Sequence, residues 1–184
     1  VTVGGTSSFT TTRINDDIEL GTLASTGTVA LNTNGATGTA TVVNATALDF
    51  ATTGVGANLT ATATTGTITD TGALTVGGAG SFTTAQNNQV ITLDTTTNAI
   101  IGAVTFTTNG TTGNVTIDNG TTALDFAASS IDGSLTATSG NVGGITDSGT
   151  VTVTGAGSFT TDANSGVLNL NQLAVTGSLT LNTN

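Results

Sequence analysis

The chain repeats itself, and that repetition limits its possible folds more than any other feature. Gly80-Ser81-Phe82-Thr83-Thr84 returns as Gly157-Ser158-Phe159-Thr160-Thr161, and Ser8-Phe9-Thr10-Thr11 is an earlier copy. The three phenylalanines of these copies are almost evenly spaced along the chain. Ala47-Leu48-Asp49-Phe50 returns as Ala123-Leu124-Asp125-Phe126, and Ile68-Thr69-Asp70 as Ile145-Thr146-Asp147. The 184 residues therefore divide into units of about 1–73 and 74–150 and a partial unit 151–184, read as a single solenoid segment.

Within each unit the pattern is that of short strands. Leu59-Thr60-Ala61-Thr62-Ala63-Thr64 alternates apolar and polar, as do Val104-Thr105-Phe106-Thr107 and Leu179-Thr180-Leu181-Asn182. A period of two buries one face and wets the other. The runs are broken by Gly, Asn, Asp and Ser, which favour turns. No helical periodicity is sustained. Landmarks at Ser8, Thr28, Asn58, Ser81, Ala103, Ser134, Ser158 and Ser178 suggest unequal coils of roughly 24 residues on average. The fold expected is all-β, a right-handed parallel β-helix of about eight coils, with three coils per unit. A β-sandwich is the structural alternative. The second coil of each unit looks longer, which makes Ala40 to Asn58 and Thr116 to Ser134 candidate contact surfaces.

Composition removes many functions. Pro, Cys, Met, Trp, Tyr, His and Lys are absent, Thr occurs 48 times, and net charge is −10 with Arg13 the only basic side chain. Without Cys or His there is no thiol nucleophile, disulfide, imidazole base or usual zinc ligand. One cation cannot neutralise a run of phosphates, so neither nucleic acid nor an anionic membrane is expected as a partner. No apolar run approaches the roughly 20 residues of a membrane span, so no direct membrane insertion is expected.

The chain starts at Val1, and Leu170 to Asn184 (LNQLAVTGSLTLNTN) matches Leu20 to Asn34 (LGTLASTGTVALNTN). It thus stops in mid-repeat without a polar cap, as expected of an internal segment of a longer chain. End-to-end stacking of separate subunits through open strand edges is the alternative. Simple head-to-tail stacking would break the repeat phase.

Few residues suggest chemistry. Asp16-Asp17 and Glu19 form the only acidic cluster, and adjacent acids on a strand point to opposite faces. The matching stretch Ala85 to Val90 (AQNNQV) has no acid, so polysaccharide hydrolysis is not expected and no catalytic residue is assigned. Asp70 and Asp147 read as turn formers bonding their own backbone, and Asp49 and Asp125 as outward strand positions. Calcium is conceivable for these acids, but no Gly-Gly-x-Gly-x-Asp array occurs, and no metal or cofactor site is assigned. Gly77-Gly78-Ala79-Gly80 reads as a turn, lacking the lysine of a phosphate loop. Asn44, Asn58, Asn109, Asn114 and Asn119 begin N-x-[ST] sequons, no more than chance supplies. Thr-x-Thr runs at Thr60/Thr62/Thr64, Thr105/Thr107 and Thr136/Thr138 raise an ice-binding surface. Thr60 and Thr136 lie a whole repeat unit apart, however, so successive coils are not expected to carry the motif.

Ile145 to Thr161 (ITDSGTVTVTGAGSFTT) and Leu168 to Asn184 (LNLNQLAVTGSLTLNTN) resemble the repeats of very large secreted bacterial exoproteins, the filamentous-haemagglutinin-like adhesins exported by two-partner secretion. The resemblance runs through nearly the whole chain, although the family's N-terminal secretion domain is not visible in it. It implies a secreted or cell-surface rod, non-catalytic, acting in attachment or aggregation. The partners it implies are neighbouring coils or subunits of the same protein, surface glycans and other cells.

Overall fold

A computed structural model describes all residues, 1–184. It contains 24 short strands and no helix. In chain order these are β1 (Thr2–Val3), β2 (Ser7–Thr10), β3 (Ile18–Ser25), β4 (Val29–Asn32), β5 (Ala40–Asn44), β6 (Leu48–Phe50), β7 (Thr53–Val55), β8 (Leu59–Ala63), β9 (Ile68–Asp70), β10 (Leu74–Val76), β11 (Gly80–Thr84), β12 (Ile91–Leu93), β13 (Ala99–Ile100), β14 (Val104–Thr107), β15 (Val115–Asp118), β16 (Leu124–Phe126), β17 (Ser129–Ile131), β18 (Leu135–Ser139), β19 (Ile145–Asp147), β20 (Val151–Val153), β21 (Gly157–Thr161), β22 (Leu168–Asn169), β23 (Leu173–Val175) and β24 (Leu179–Thr183). Every pairing is parallel, and each joins a strand to one about a turn later. The architecture is a β-solenoid of about eight turns.

The strands form two sheets of 12. Sheet one contains β1, β3, β5, β8, β11, β14, β16, β17, β19, β20, β22 and β23; sheet two contains the rest. The chain passes from one to the other and back once per turn. The register gives the turn length directly, since Ala40 pairs with Leu59, Leu59 with Gly80 and Gly80 with Val104. The average turn is shorter than the coil length expected from the landmarks.

The reason is topological. Gly80–Thr84 is β11 of sheet one, whereas its repeat Gly157–Thr161 is β21 of sheet two. Likewise Leu48–Phe50 lies in sheet two and Leu124–Phe126 in sheet one. One repeat unit spans three and a half turns, not three, so equivalent residues fall on alternate sheets. The apparent long coils, Thr28 to Asn58 and Ala103 to Ser134, are each a turn and a half. The stretches Ala40 to Asn58 and Thr116 to Ser134 accordingly hold ordinary strands rather than a protruding excursion.

Alternation puts every second side chain inside: β5, β8, β11, β18 and β21 all bury their first, third and fifth residues. One cluster of 32 buried apolar residues runs through the solenoid. Phe50, Phe82, Phe106, Phe126 and Phe159 form its spine, with successive ring centroids 6.4, 5.7, 6.2 and 6.2 Å apart. The Gly-Ser-Phe motif has a steric cause. A Cβ on Gly80 would lie 2.9 Å from the Phe82 ring, and one on Gly157 3.1 Å from the Phe159 ring. The glycine makes room for the ring two residues on. The earliest copy has Ser7 in that place, and Phe9 is only partly buried.

Where the ladder is interrupted, side chains complete it. β4 pairs with both β6 and β7, and the Thr53 hydroxyl fills the break by accepting from Leu31 N at 3.3 Å. The same hydroxyl donates to the Ala51 carbonyl at 2.9 Å. In the next unit Ser129 Oγ accepts from Phe106 N at 3.0 Å and donates to Ala127 O at 3.0 Å. Asn44 and Asn119 act similarly. Asn119 Oδ1 accepts from Ile100 N (2.8 Å), while its Nδ2 donates to Ile100 O (3.0 Å) and Ala123 O (2.9 Å). Asn44 accepts from Ser25 N (2.8 Å) and donates to Ser25 O (2.9 Å) and Ala47 O (2.6 Å). A carboxamide carries the donor and acceptor of a peptide group, so it substitutes for a missing strand. Both asparagines are 0% exposed. As sequons they are inaccessible in the folded chain.

Candidate functional surface

The acids are distributed singly. Asp16, Asp17 and Glu19 are exposed around the turn that leads into β3. Asp17 accepts from Thr39 N (2.7 Å) and Thr39 Oγ1 (2.9 Å) on the next turn, and the backbone bond first, then the hydroxyl, holds its pKa below the ordinary value.

Asp70 and Asp147 do not bond their own turns, as the sequence pattern suggests. Asp70 accepts from Asp94 N (3.1 Å) and Asn98 Nδ2 (2.5 Å), and Asp147 from Asn171 N (2.9 Å) and Gln172 N (2.8 Å). Each fastens the loop one turn later. An Asp at a strand end lies above the next coil's loop, so the neighbouring coil, not the local turn, supplies the donors. Asp70 is 8% exposed, and burial pushes its pKa up against the opposing pull of Asn98 and the backbone amides. Asp49 and Asp125 point out from strands whose flanking Leu and Phe are buried, as the alternation predicts. Asp125 accepts from Thr146 Oγ1 (2.9 Å) and Ser148 Oγ (2.6 Å).

The most regular feature lies on the outer faces. On sheet one, Thr41, Thr60, Ser81 and Thr105 stand in one column, each the register partner of the next. Two residues along, Thr62, Thr83, Thr107, Ser130 and Thr152 form a second column. Sheet two carries one hydroxyl column with a mixed polar column beside it. Thr69, Thr92, Thr116, Thr136, Ser158 and Thr180 form one column, with Asp118, Thr138, Thr160 and Asn182 beside it.

This overturns the expectation that Thr-x-Thr motifs skip coils. Thr60 and Thr136 belong to different sheets, and each has hydroxyl residues directly above and below it in its own column. Unequal turn lengths are absorbed in the connections, such as 85–90 and 108–114, so strands stay in register. Serine at position 81 or 158 hides the pattern from a search for Thr-x-Thr alone. The hydroxyls of Thr33, Thr53, Thr84 and Thr108, near strand ends, are taken up by intramolecular bonds. None of the column hydroxyls has a partner within the chain, so they face outward uncommitted.

A family model described as repeats of unknown function, DUF5649, matches residues 37–107 and 112–167. The chain belongs to the DUF5649 family. The starts of the two matches, at positions 37 and 112, are separated by the three-and-a-half-turn unit seen in the fold. Each DUF5649 repeat therefore starts half a turn out of phase with the one before it. No curated protein and no solved structure matches the chain.

Proposed function

We propose that this DUF5649 chain is a non-catalytic structural rod of a secreted or cell-surface adhesin or fibre that mediates attachment or aggregation. The observation that carries this reading is the single core of 32 residues, sealed on both sides by coil-to-coil backbone bonding. Eight turns at a strand spacing of about 4.8 Å give a stiff element about 38 Å long. The resemblance to filamentous-haemagglutinin-like repeats supports the same role. The absence of lysine leaves trypsin only Arg13, which suits exposure to proteases.

The test is removal of this segment from the protein in its producing cell. Attachment to surfaces or between cells is expected to fall, with growth unaffected. Undiminished attachment after complete removal refutes the proposal.

A further inference from the structure

We propose that the hydroxyl columns on the two sheets are binding surfaces for crystalline water, so that the rod adsorbs to ice. The inference is independent of the adhesive reading. It begins from the two-dimensional order of the face. Along the rod, Thr60, Ser81 and Thr105 repeat at the strand spacing, about 4.8 Å, and across it Thr60 and Thr62 are separated by two residues of strand, about 6.6 Å. The register is unbroken from β5 to β14 on sheet one and from β12 to β24 on sheet two. The one register shift, between Leu20 and Leu23, lies outside both arrays.

The chemistry of the face selects the ligand. Each threonine offers a hydroxyl that can hold a water molecule and a methyl that sheds water from its surroundings. A lattice of such pairs orders water at fixed intervals, which matches a solid whose oxygens are themselves periodic. Between Thr41 and Thr107 the sheet-one columns carry no charge, and in the sheet-two columns Asp118 is the single charge, so neither face is built for an ionic partner. Five of the six phenylalanines are fully buried, and Trp and Tyr are absent, so no aromatic platform exists for stacking a sugar ring. The three sheet-one ranks with a hydroxyl in both columns, Thr60/Thr62, Ser81/Thr83 and Thr105/Thr107, cover about 14 Å by 7 Å. That is far below the about 800 Å² per partner of a stable protein interface, which argues against a second copy as the occupant. The half-turn relation between repeats then gives the rod two such faces, one on each sheet.

The test is partition into ice grown slowly from a solution of the 184-residue chain, with protein measured by peptide absorbance because Trp and Tyr are absent. Three proteins are compared: the native chain, the double variant Ser81→Lys/Ser158→Lys in the middle of both arrays, and the charge-matched variant Asn87→Lys/Asn164→Lys on exposed turns. Circular dichroism and melting establish that all three are folded. The native chain and the turn variant are expected to enter the ice at near their bulk concentration, and the array variant to be rejected like an unrelated acidic protein. Rejection of the native chain overturns the proposal, as does equal incorporation of the array variant. Sedimentation with crystalline cellulose at room temperature is run alongside. Binding there by a chain that ice rejects would replace crystalline water with a polysaccharide surface.

Discussion

Replacing Asn119 tests whether a single side chain stands in for a strand. In Asn119→Ala the Ile100 amide loses its acceptor, and the Ile100 and Ala123 carbonyls lose their donor. The residue is 0% exposed, so water does not readily take its place. An unsatisfied buried polar group costs about 1–3 kcal/mol. With partial relaxation, three such groups amount to a loss of about 3–5 kcal/mol. Asn119→Asp keeps the acceptor for Ile100 N but turns an oxygen toward two carbonyls and buries a charge. It is expected to be at least as damaging at neutral pH and to recover in part when acid protonates the carboxyl. The assay is urea unfolding followed by circular dichroism, with hydrogen exchange at the Ile100 amide as the local probe. A loss under about 1 kcal/mol with unchanged Ile100 protection refutes the reasoning.

Other perturbations probe the core, the corners and the charges. Phe106→Ala removes the ring between Phe82 and Phe126 and is expected to cost about 3–5 kcal/mol in urea unfolding. A Cβ on Gly56 would collide with the Gly35 carbonyl of the neighbouring turn, so Gly56→Ala should cost about 3 kcal/mol, whereas at Gly54 the nearest atom is 3.6 Å away and Gly54→Ala should cost under about 1 kcal/mol. Because burial raises the Asp70 pKa in the folded state, stability from this group falls as pH rises through the ordinary carboxylate range toward the raised value, then levels off. A melting-temperature series of Asp70→Asn against the native chain should lack that decline. The lowered pKa of Asp17 acts in the opposite sense, its contribution being lost as pH falls through the folded value, and Asp17→Asn should remove the acid-side loss.

Much of the fold is legible in the residues because the strands are locally specified. Alternation in Leu59 to Ala63 and Leu135 to Ser139 dictates both the strand and its buried face. The half-turn offset is not legible, because a buried Phe looks the same on either sheet. Phe82 and Phe159 differ only in which neighbours lie across the core. The same ambiguity concealed the outer columns, since stacking depends on which strands share a sheet. Asn44 and Asn119 read as chance sequons because nothing local marks an asparagine as the partner of a strand one turn away. Asp70 and Asp147 were misleading for the same reason: their donors come from the next coil.

The half-turn unit also constrains how such a gene can lengthen. Inserting one repeat unit rotates everything downstream by half a revolution and exchanges the two sides of the rod. Inserting two leaves every later residue facing as before, as the common placement of Leu31 and its two-unit equivalent Leu181 on sheet two illustrates. A protein whose sides differed could grow only by even numbers of units. Because a hydroxyl column lines each side here, with Asp118 and Asn182 entering only the second column of sheet two, unequal recombination can add or drop a single unit and still leave a hydroxyl column on each side.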